Sequence, residues 1–390
     1  MIMSCNILSG IRVVDLARYI AGPFCGMLLA DMGAEVIKVE KPKVGEVTRR
    51  SAPWKDGVSL SFPAYNLNKK SISLDVRTPE GMEILRDLIA HSDVLLENFR
   101  VGTVEKMGLS YEEVKRINPS IIMVSVSGFG QVGPYRNHLA FDGVISAMAG
   151  ITRFENGRAE RSKGALQDHM AALYATVATL LAVIDREKTG KGQYIDVAMF
   201  ASSAMVRNES LADAYVNGGD ICIDDAAPFG FLYASDGCVY FHAGLGNMYD
   251  RLMAIVDDPF LHEERFHDPA IRTEHADELI AHLQEWAKDM SAKELDGLLT
   301  ANDITSAVIS SPKELIHDVH LKEAGFLKMI PIQGLSGSAP YIGLPFKMSE
   351  HPDVEFKPAP DVGENNDEIY SHVLGFSDEK ISELKNNGII

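Results

Sequence analysis

Between residues 11 and 130 the chain alternates short apolar runs with helix-length stretches, and that order admits few folds. IRVVDL (11–16), AEVIKVE (34–40), DVLLENF (93–99) and SIIMVSVSGFG (120–130) read as strands, and GPFCGMLLADMG (22–33) reads as a helix. Thr78 and Pro79 supply an N-cap and an N1 proline for a helix over 79–91, and Ser110 with Glu113 forms a capping box for one over 111–116. A helix over 166–187, the turn TGKGQ (189–193) and a strand YIDVAM (194–199) continue the pattern, with another helix from about Phe200. Strands joined through helices pair in parallel, because the return crossover must lie on a face of the sheet. The expected fold is α/β: a Rossmann-like, doubly wound parallel sheet.

From about residue 222 the character changes. PFGFLYASDGCVYFHAGLG (228–246) reads as a hairpin turning at Asp236-Gly237, with helices near 247–256, 274–289 and 292–301. Capping signals at Ser291–Glu294 and Ser311–Glu314 open two of the later helices. This predicts a smaller α+β domain over 225–320. The segments FLKMIPIQ, YIGLPF and SDEKISELKNNG return to strand and helix, so the large domain is expected over 1–224 and 321–390.

The formal charge of −18 argues against nucleic acid or an anionic membrane surface as partner. No apolar run approaches the ~20 residues that span a bilayer. The N-terminus lacks a basic n-region and a small-residue cleavage site, so the expectation is a cytoplasmic protein. Cys5, Cys25, Cys222 and Cys238 show no CxxC spacing and read as reduced thiols. Charge is uneven: residues 38–106 carry 12 Lys and Arg against 10 Asp and Glu, and the rest of the chain sums to −20. The basic stretch is either scattered surface charge or a site for an anionic ligand.

GFGQVG (128–133) matches G-x-G-x-x-G, but PYRNH after it does not open a helix, and the first βα turn, DLARYIAGP, lacks the glycines of a dinucleotide fingerprint. Glu40 does end the second strand, where a ribose-binding acid would sit. The twelve histidines give no metal-binding pattern, and His317 and His320 read as a solvated helix face. Asp168 is the unusual acid. It sits at the head of the Ala-rich helix, where free N–H groups and the dipole favour an anion. It is either a helix cap or an ionised, partly desolvated nucleophile. His169 beside it diverges by about 100° around the helix and is a poor partner at one reacting atom.

Several ordered blocks resemble the class III CoA-transferase family, the CaiB/BaiF superfamily that includes formyl-CoA transferase and carnitine CoA-transferase. They are VVDLARYIAGPF (13–24), MGAEVIKVEKP (32–42), NLNKKSISLDVRTPEG (66–81), VLLENFRVGTVEKMGLS (94–110), GFGQVGPYRN (128–137), REKTGKGQYIDVAM (186–199) and GLPFKMSEHP (343–352). The resemblance implies that Asp168 is the catalytic aspartate. It implies CoA contacts at Ile20 and Ala21, at Lys41, at Leu74, Asp75, Val76 and Arg77, at Asn98, Phe99 and Arg100, at Lys106, and at Leu139, Ala140, Phe141 and Asp142. It further implies an acyl-CoA and a carboxylic acid as substrates, coenzyme A as the only cofactor-like molecule, no metal, and ring-shaped subunits interlocked in a homodimer. Racemases of the superfamily resemble G-H-D where this chain has Ala140-Phe141-Asp142, and tend to P-G-P where it has Ala21-Gly22-Pro23. Both departures favour transfer over racemisation of an α-methylacyl-CoA. A catalytically silent CoA-binding protein is the alternative from another class. The four-glycine run of formyl-CoA transferases is missing between 200 and 260, which argues against formyl or oxalyl specificity.

Overall fold

The computed structural model describes residues 6–155, 158–160, 163–218, 226–351 and 354–390. Cys5 and Cys222 lie outside the described residues; Cys25 and Cys238 are free thiols. The chain forms two compact units, one of residues up to Asn208 together with Leu321–Ile390, the other Glu209–His320.

The first unit is built on six strands: β1 (Arg12–Asp15), β2 (Glu35–Glu40), β3 (Lys70–Ser73), β4 (Val94–Glu97), β5 (Ile122–Ser127) and β6 (Tyr194–Ala198). Every neighbouring pair is parallel, in the order β6-β5-β4-β1-β2-β3. Side chains alternate across a strand, so Val13 and Val14 enter opposite layers. Val13, Val36, Val94 and Val124 pack against helix α1 (Ala21–Asp31) and the small residues Ala171, Ala172 and Ala175. Val14, Ile37, Leu95 and Met123 pack against Ile84, Leu85 and Leu88 of α2 (Pro79–Ala90) and against Val114 of α3 (Tyr111–Ile117). Thr78 caps α2 through Gly81, and the Ser110–Glu113 box opens α3. The sheet is doubly wound, and its order reverses between β1 and β4, the point where such sheets bind ligands beyond the strands' carboxyl ends.

Among the elements outside the sequence reading, two bear on the candidate site. β3 is a four-residue edge strand whose Lys70-Ser71-Ile72-Ser73 has no apolar run. Helix α4 (Asp142–Met148) opens behind Phe141 with no side-chain cap to announce it. The edge of β3 is covered by side chains from the last part of the chain. The Ser71 N–H donates to Asn365 Oδ1 (3.0 Å), the Ser73 N–H to Asn366 Oδ1 (2.9 Å), and the Tyr370 hydroxyl to the Ser73 carbonyl (2.8 Å).

Helix α5 (Leu166–Thr189) has 24 residues and is long and apolar enough by length and composition to cross a membrane, which the sequence reading did not find. Its Ala171, Ala172, Ala175, Thr179 and Ala182 are buried in the sheet-side layer, whereas Leu173, Val177, Leu181 and Ile184 are exposed.

The second unit holds an antiparallel sheet of β7 (Phe229–Tyr233), β8 (Cys238–His242) and β9 (Thr305–Val308). Leu279, Leu283, Leu295 and Leu299 cover Leu232, Val239 and Phe241. Ser291–Glu294 and Ser311–Glu314 form capping boxes here.

Candidate functional site

A cleft of about 350 Å³ opens beyond the carboxyl ends of β1, β2 and β3. Its lining gathers Lys41, Leu74, Asp75, Val76, Arg77 and Phe99, which lie far apart in sequence, and adds Arg18 and Arg50, which sequence reasoning missed. Arg77 is two-thirds exposed and grips Asp75 at 2.8 and 2.6 Å. That grip pulls the Asp75 carboxyl down to about 2, so the pair stays ionised above that pH. Arg100, Lys106 and residues 139–142 do not line the cleft. Arg100 donates to the Asn137 carbonyl (3.1 Å), and Lys106 is exposed.

Leu16, Ala17 and Arg18 at the start of the first βα turn form one wall, whereas Ile20, Ala21 and Asn98 do not line the cleft. Asn98 pairs with Arg18 in both directions, accepting from its N–H and donating to its carbonyl, each at 2.7 Å. The Tyr19 N–H donates to Glu46 (2.9 Å), and Tyr19 is left-handed at φ 63°, a costly backbone for a non-glycine residue. Gly22 follows where a Cβ would lie 2.3 Å from that of Ala17. The half-buried Ile20 and the buried Ala21 therefore sit in a turn with little freedom. Glu40 is not available to a ribose: it is buried and held bidentate by Arg49, both contacts 2.7 Å.

The chain of this turn runs on to Asp168. Phe24 of α1 packs on His169 (ring centroids 4.7 Å apart), and Tyr65 packs on both rings. The His169 Nδ1 lies 2.7 Å from the Ala165 carbonyl, so its ring is committed to the helix start. Asp168 is half-buried in the first turn of α5, and its carboxylate is close enough to join burial in pushing the Tyr65 phenol up. No sequence pattern points to Tyr65.

Ala165, not Asp168, is the N-cap of α5, and it makes no side-chain cap bond. The cap comes from elsewhere in the chain: Asp142, buried at the start of α4, accepts the Gln167 N–H at 2.8 Å. The helix start is thus held by an acid from another segment, at the residue before Asp168. Asp142→Ala should cost about 1 kcal/mol as a lost cap, read as a lower melting temperature. It should lower the activity of the variant by a larger factor than that implies, because the helix start that aims Asp168 loosens. Leu139 and Phe141 are two-thirds exposed, and Phe141 meets Tyr19 edge-on at 5.9 Å. Gly128 admits Ala140 so closely that a Cβ there would stand 2.2 Å from Ala140 Cβ. No helix opens at GFGQVG, which removes the dinucleotide reading. Among the described residues, no group of three or more His, Cys, Asp or Glu side chains could hold a metal ion.

The family model for CoA-transferase family III matches residues 8–366. The chain belongs to CoA-transferase family III. Similar curated proteins include the succinyl-CoA–L-malate CoA-transferase beta subunit of Chloroflexus aurantiacus, 33% identical with 98% of each chain covered. The formyl-CoA:oxalate CoA-transferase of Rhodopseudomonas palustris is 31% identical, covering 98% of this chain and 97% of that one. A CAIB/BAIF family protein from Brucella suis has a solved structure that superposes with a TM-score of 0.82 at 32% identity, covering 94% of this chain and 99% of that one. As a member of CoA-transferase family III the chain is an enzyme with CoA-transferase activity, and coenzyme A is its substrate.

Proposed function

We propose that this enzyme moves CoA from an acyl-CoA to a free carboxylic acid through covalent intermediates on Asp168. The observation that carries the reading is the placement of Asp168: half-buried in the first turn of α5, at a helix start that Asp142 holds through the Gln167 N–H. The cleft of Lys41, Asp75–Arg77, Phe99, Arg18 and Arg50 is the proposed seat of the nucleotide end of CoA, whose phosphates its cations would pair.

An Asp168 oxygen attacks the donor thioester carbonyl, the C–S bond breaks, and CoA thiolate leaves a mixed anhydride. The thiolate attacks the aspartyl carbonyl, releasing the donor as a carboxylate and leaving an aspartyl-CoA thioester. The acceptor carboxylate attacks that thioester and expels the thiolate again. The thiolate then takes the acyl group, and Asp168 is regenerated with no net change in protons or electrons. Each step is an acyl transfer between a carboxylate and a thiolate, which splits one difficult exchange into easier ones. Desolvation and fixed position supply the reactivity a carboxylate lacks in water. Phe141 cannot relay a proton, which disfavours racemisation; no α-proton exchange is expected from an α-methylacyl-CoA in deuterated water.

The homodimer is part of the same proposal. Leu173, Val177, Leu181 and Ile184 make an exposed apolar stripe along α5, the kind of surface a second subunit covers. Incubating the enzyme with one acyl-CoA and a panel of free acids tests the function. Formation of a new acyl-CoA from at least one mono- or dicarboxylic acid is expected. CoA binding with no exchange for any acid in the panel would overturn the proposed transfer to a free carboxylic acid.

A further inference from the structure

Three fully buried charges lie beneath the first βα turn, and the reaction does not use them. Asp15 ends β1, Lys38 lies on β2, and Lys69 precedes β3; their side chains are 0%, 1% and 0% exposed. Lys69 Nζ has three donors and meets three acceptors: Asp15 Oδ2 at 2.8 Å, the Pro23 carbonyl at 2.7 Å and Asn66 Oδ1 at 2.9 Å. Lys38 Nζ donates to the Ala17 carbonyl at 2.7 Å and stands 3.5 Å from Asp15. Asp15 Oδ1 accepts the Ala17 N–H at 2.8 Å. The network thus holds both ends of the turn, Ala17 and Pro23, while the left-handed Tyr19 lies between them. Desolvating three charges is costly, and an apolar cluster of the same volume would stabilise the fold at least as well. What the charges provide is direction: each reaches a specific backbone atom of the turn.

We infer that Lys69, supported by Asp15 and Lys38, is a positioning residue that fixes the Ala17–Pro23 turn in the conformation that receives CoA. The inference rests on the CoA-transferase reading only for the ligand's identity.

Burial pulls the Lys69 ammonium down to about 8, against the attraction of Asp15. Losing a proton leaves two donors for three acceptors, so one end of the turn is released. The other groups facing Lys69 are Asp15 on β1, Lys38 on β2, and Cys25 and Asp31 on α1. Burial pushes the Cys25 thiol up to about 12, so it stays protonated between pH 7.5 and 9; Asp31 is pushed up to about 7, and its ionisation favours the Lys69 ammonium rather than its loss. The sign for global stability is opposite. Lys69 titrates lower folded than at its ordinary 10.5, so the unfolded chain binds the extra proton in that window. Stability contributed by this group therefore rises with pH, and the loosening is local.

The test is acetyl-CoA binding by the whole enzyme and by Lys69→Met, which leaves Asp15 paired with Lys38. The variant should bind acetyl-CoA at least about tenfold more weakly, the scale of a lost charged hydrogen bond. Its kcat at saturating acyl-CoA and its KM for the acceptor acid should stay within about threefold, and amide exchange in peptides covering residues 16–24 should quicken. Wild-type affinity should fall between pH 7.5 and 9, and the variant's should not. Equal affinity and equal exchange in the two proteins, or a flat wild-type profile, would overturn the inference. If Lys69→Met does not fold, the wild-type pH profile decides alone. If the wild type does not bind acetyl-CoA, the reading of the cleft as the seat of CoA has failed, and exchange in residues 16–24 still judges the positioning role.

Discussion

Asp168→Ala should abolish CoA transfer, lowering kcat/KM by at least about 10³-fold, or roughly 4 kcal/mol of transition-state stabilisation. The loss is expected to be in kcat, because the proposed anhydride and thioester form on the Asp168 carboxylate. Folding should survive, since the N-cap position of α5 is Ala165 and Asp142 keeps its bond to the Gln167 N–H. Acetyl-CoA should still bind, as Asp168 is not part of the cleft lined by Lys41, Arg77 and Phe99. Mass spectrometry of wild-type enzyme mixed with acyl-CoA should find the added mass on the peptide containing Asp168, and none on the variant. Robust transfer by the alanine variant would remove the mechanism while leaving the family untouched.

The largest loss of stability is expected at Arg49→Leu. Glu40 has no exposed side-chain surface; besides Arg49 it accepts from Ser71 Oγ at 2.7 Å and the Glu46 N–H at 2.8 Å. Arg49 adds a bond to the Pro360 carbonyl at 2.8 Å and lies over the Phe62 ring at 3.5 Å. Removing the guanidinium strands a buried carboxylate, which costs about 3–5 kcal/mol. For a unit of this size that is roughly a 10 °C drop in melting temperature. Glu40→Gln combined with Arg49→Leu should recover part of the loss, because the uncompensated charge is gone. The pair also sets an acid limit. Burial raises the Glu40 carboxyl, but Arg49 outweighs it and holds the group below its ordinary value. Its stabilisation is therefore present above the ordinary carboxylate range and lost as pH falls through the folded value. An Arg49→Leu variant no less stable than wild type at neutral pH would refute this account.

The sequence made the parallel sheet legible because β1, β2, β4 and β5 are largely buried apolar runs, and the TGKGQ turn marks the start of the edge strand β6. β3 escaped notice because Ser71, Ile72 and Ser73 owe their strand to a neighbour on one side and to Asn365 and Asn366 on the other. The head of α5 was legible from its composition, so Asp168 stood out. The bond by which Asp142 holds the helix start was not, since it joins segments 25 residues apart with no motif between them. Glu40 shows the opposite case. Its place at a strand end fits a ribose-binding acid, and only the folded partners Arg49 and Ser71 reveal a structural charge. The CoA contacts implied by family resemblance divide in the same way. Lys41, Leu74–Arg77 and Phe99 converge on one cleft, whereas Asp142 spends its carboxylate inside the fold.

The covered edge of β3 also bears on how the polypeptide is made. Residues 70–73 leave the ribosome nearly 300 residues before Asn365, Asn366 and Tyr370, which seal them. Until then the nascent sheet carries an open rim of hydrogen-bonding groups while the whole of Glu209–His320 is being synthesised. Lys70 stands on that rim, 2.6 Å from Glu35 of β2, and its pair with Glu368, also 2.6 Å, forms only when the closing segment arrives; until then an edge lysine discourages pairing with a neighbouring chain. The same lysine thus guards the strand during translation and anchors the closing segment afterwards.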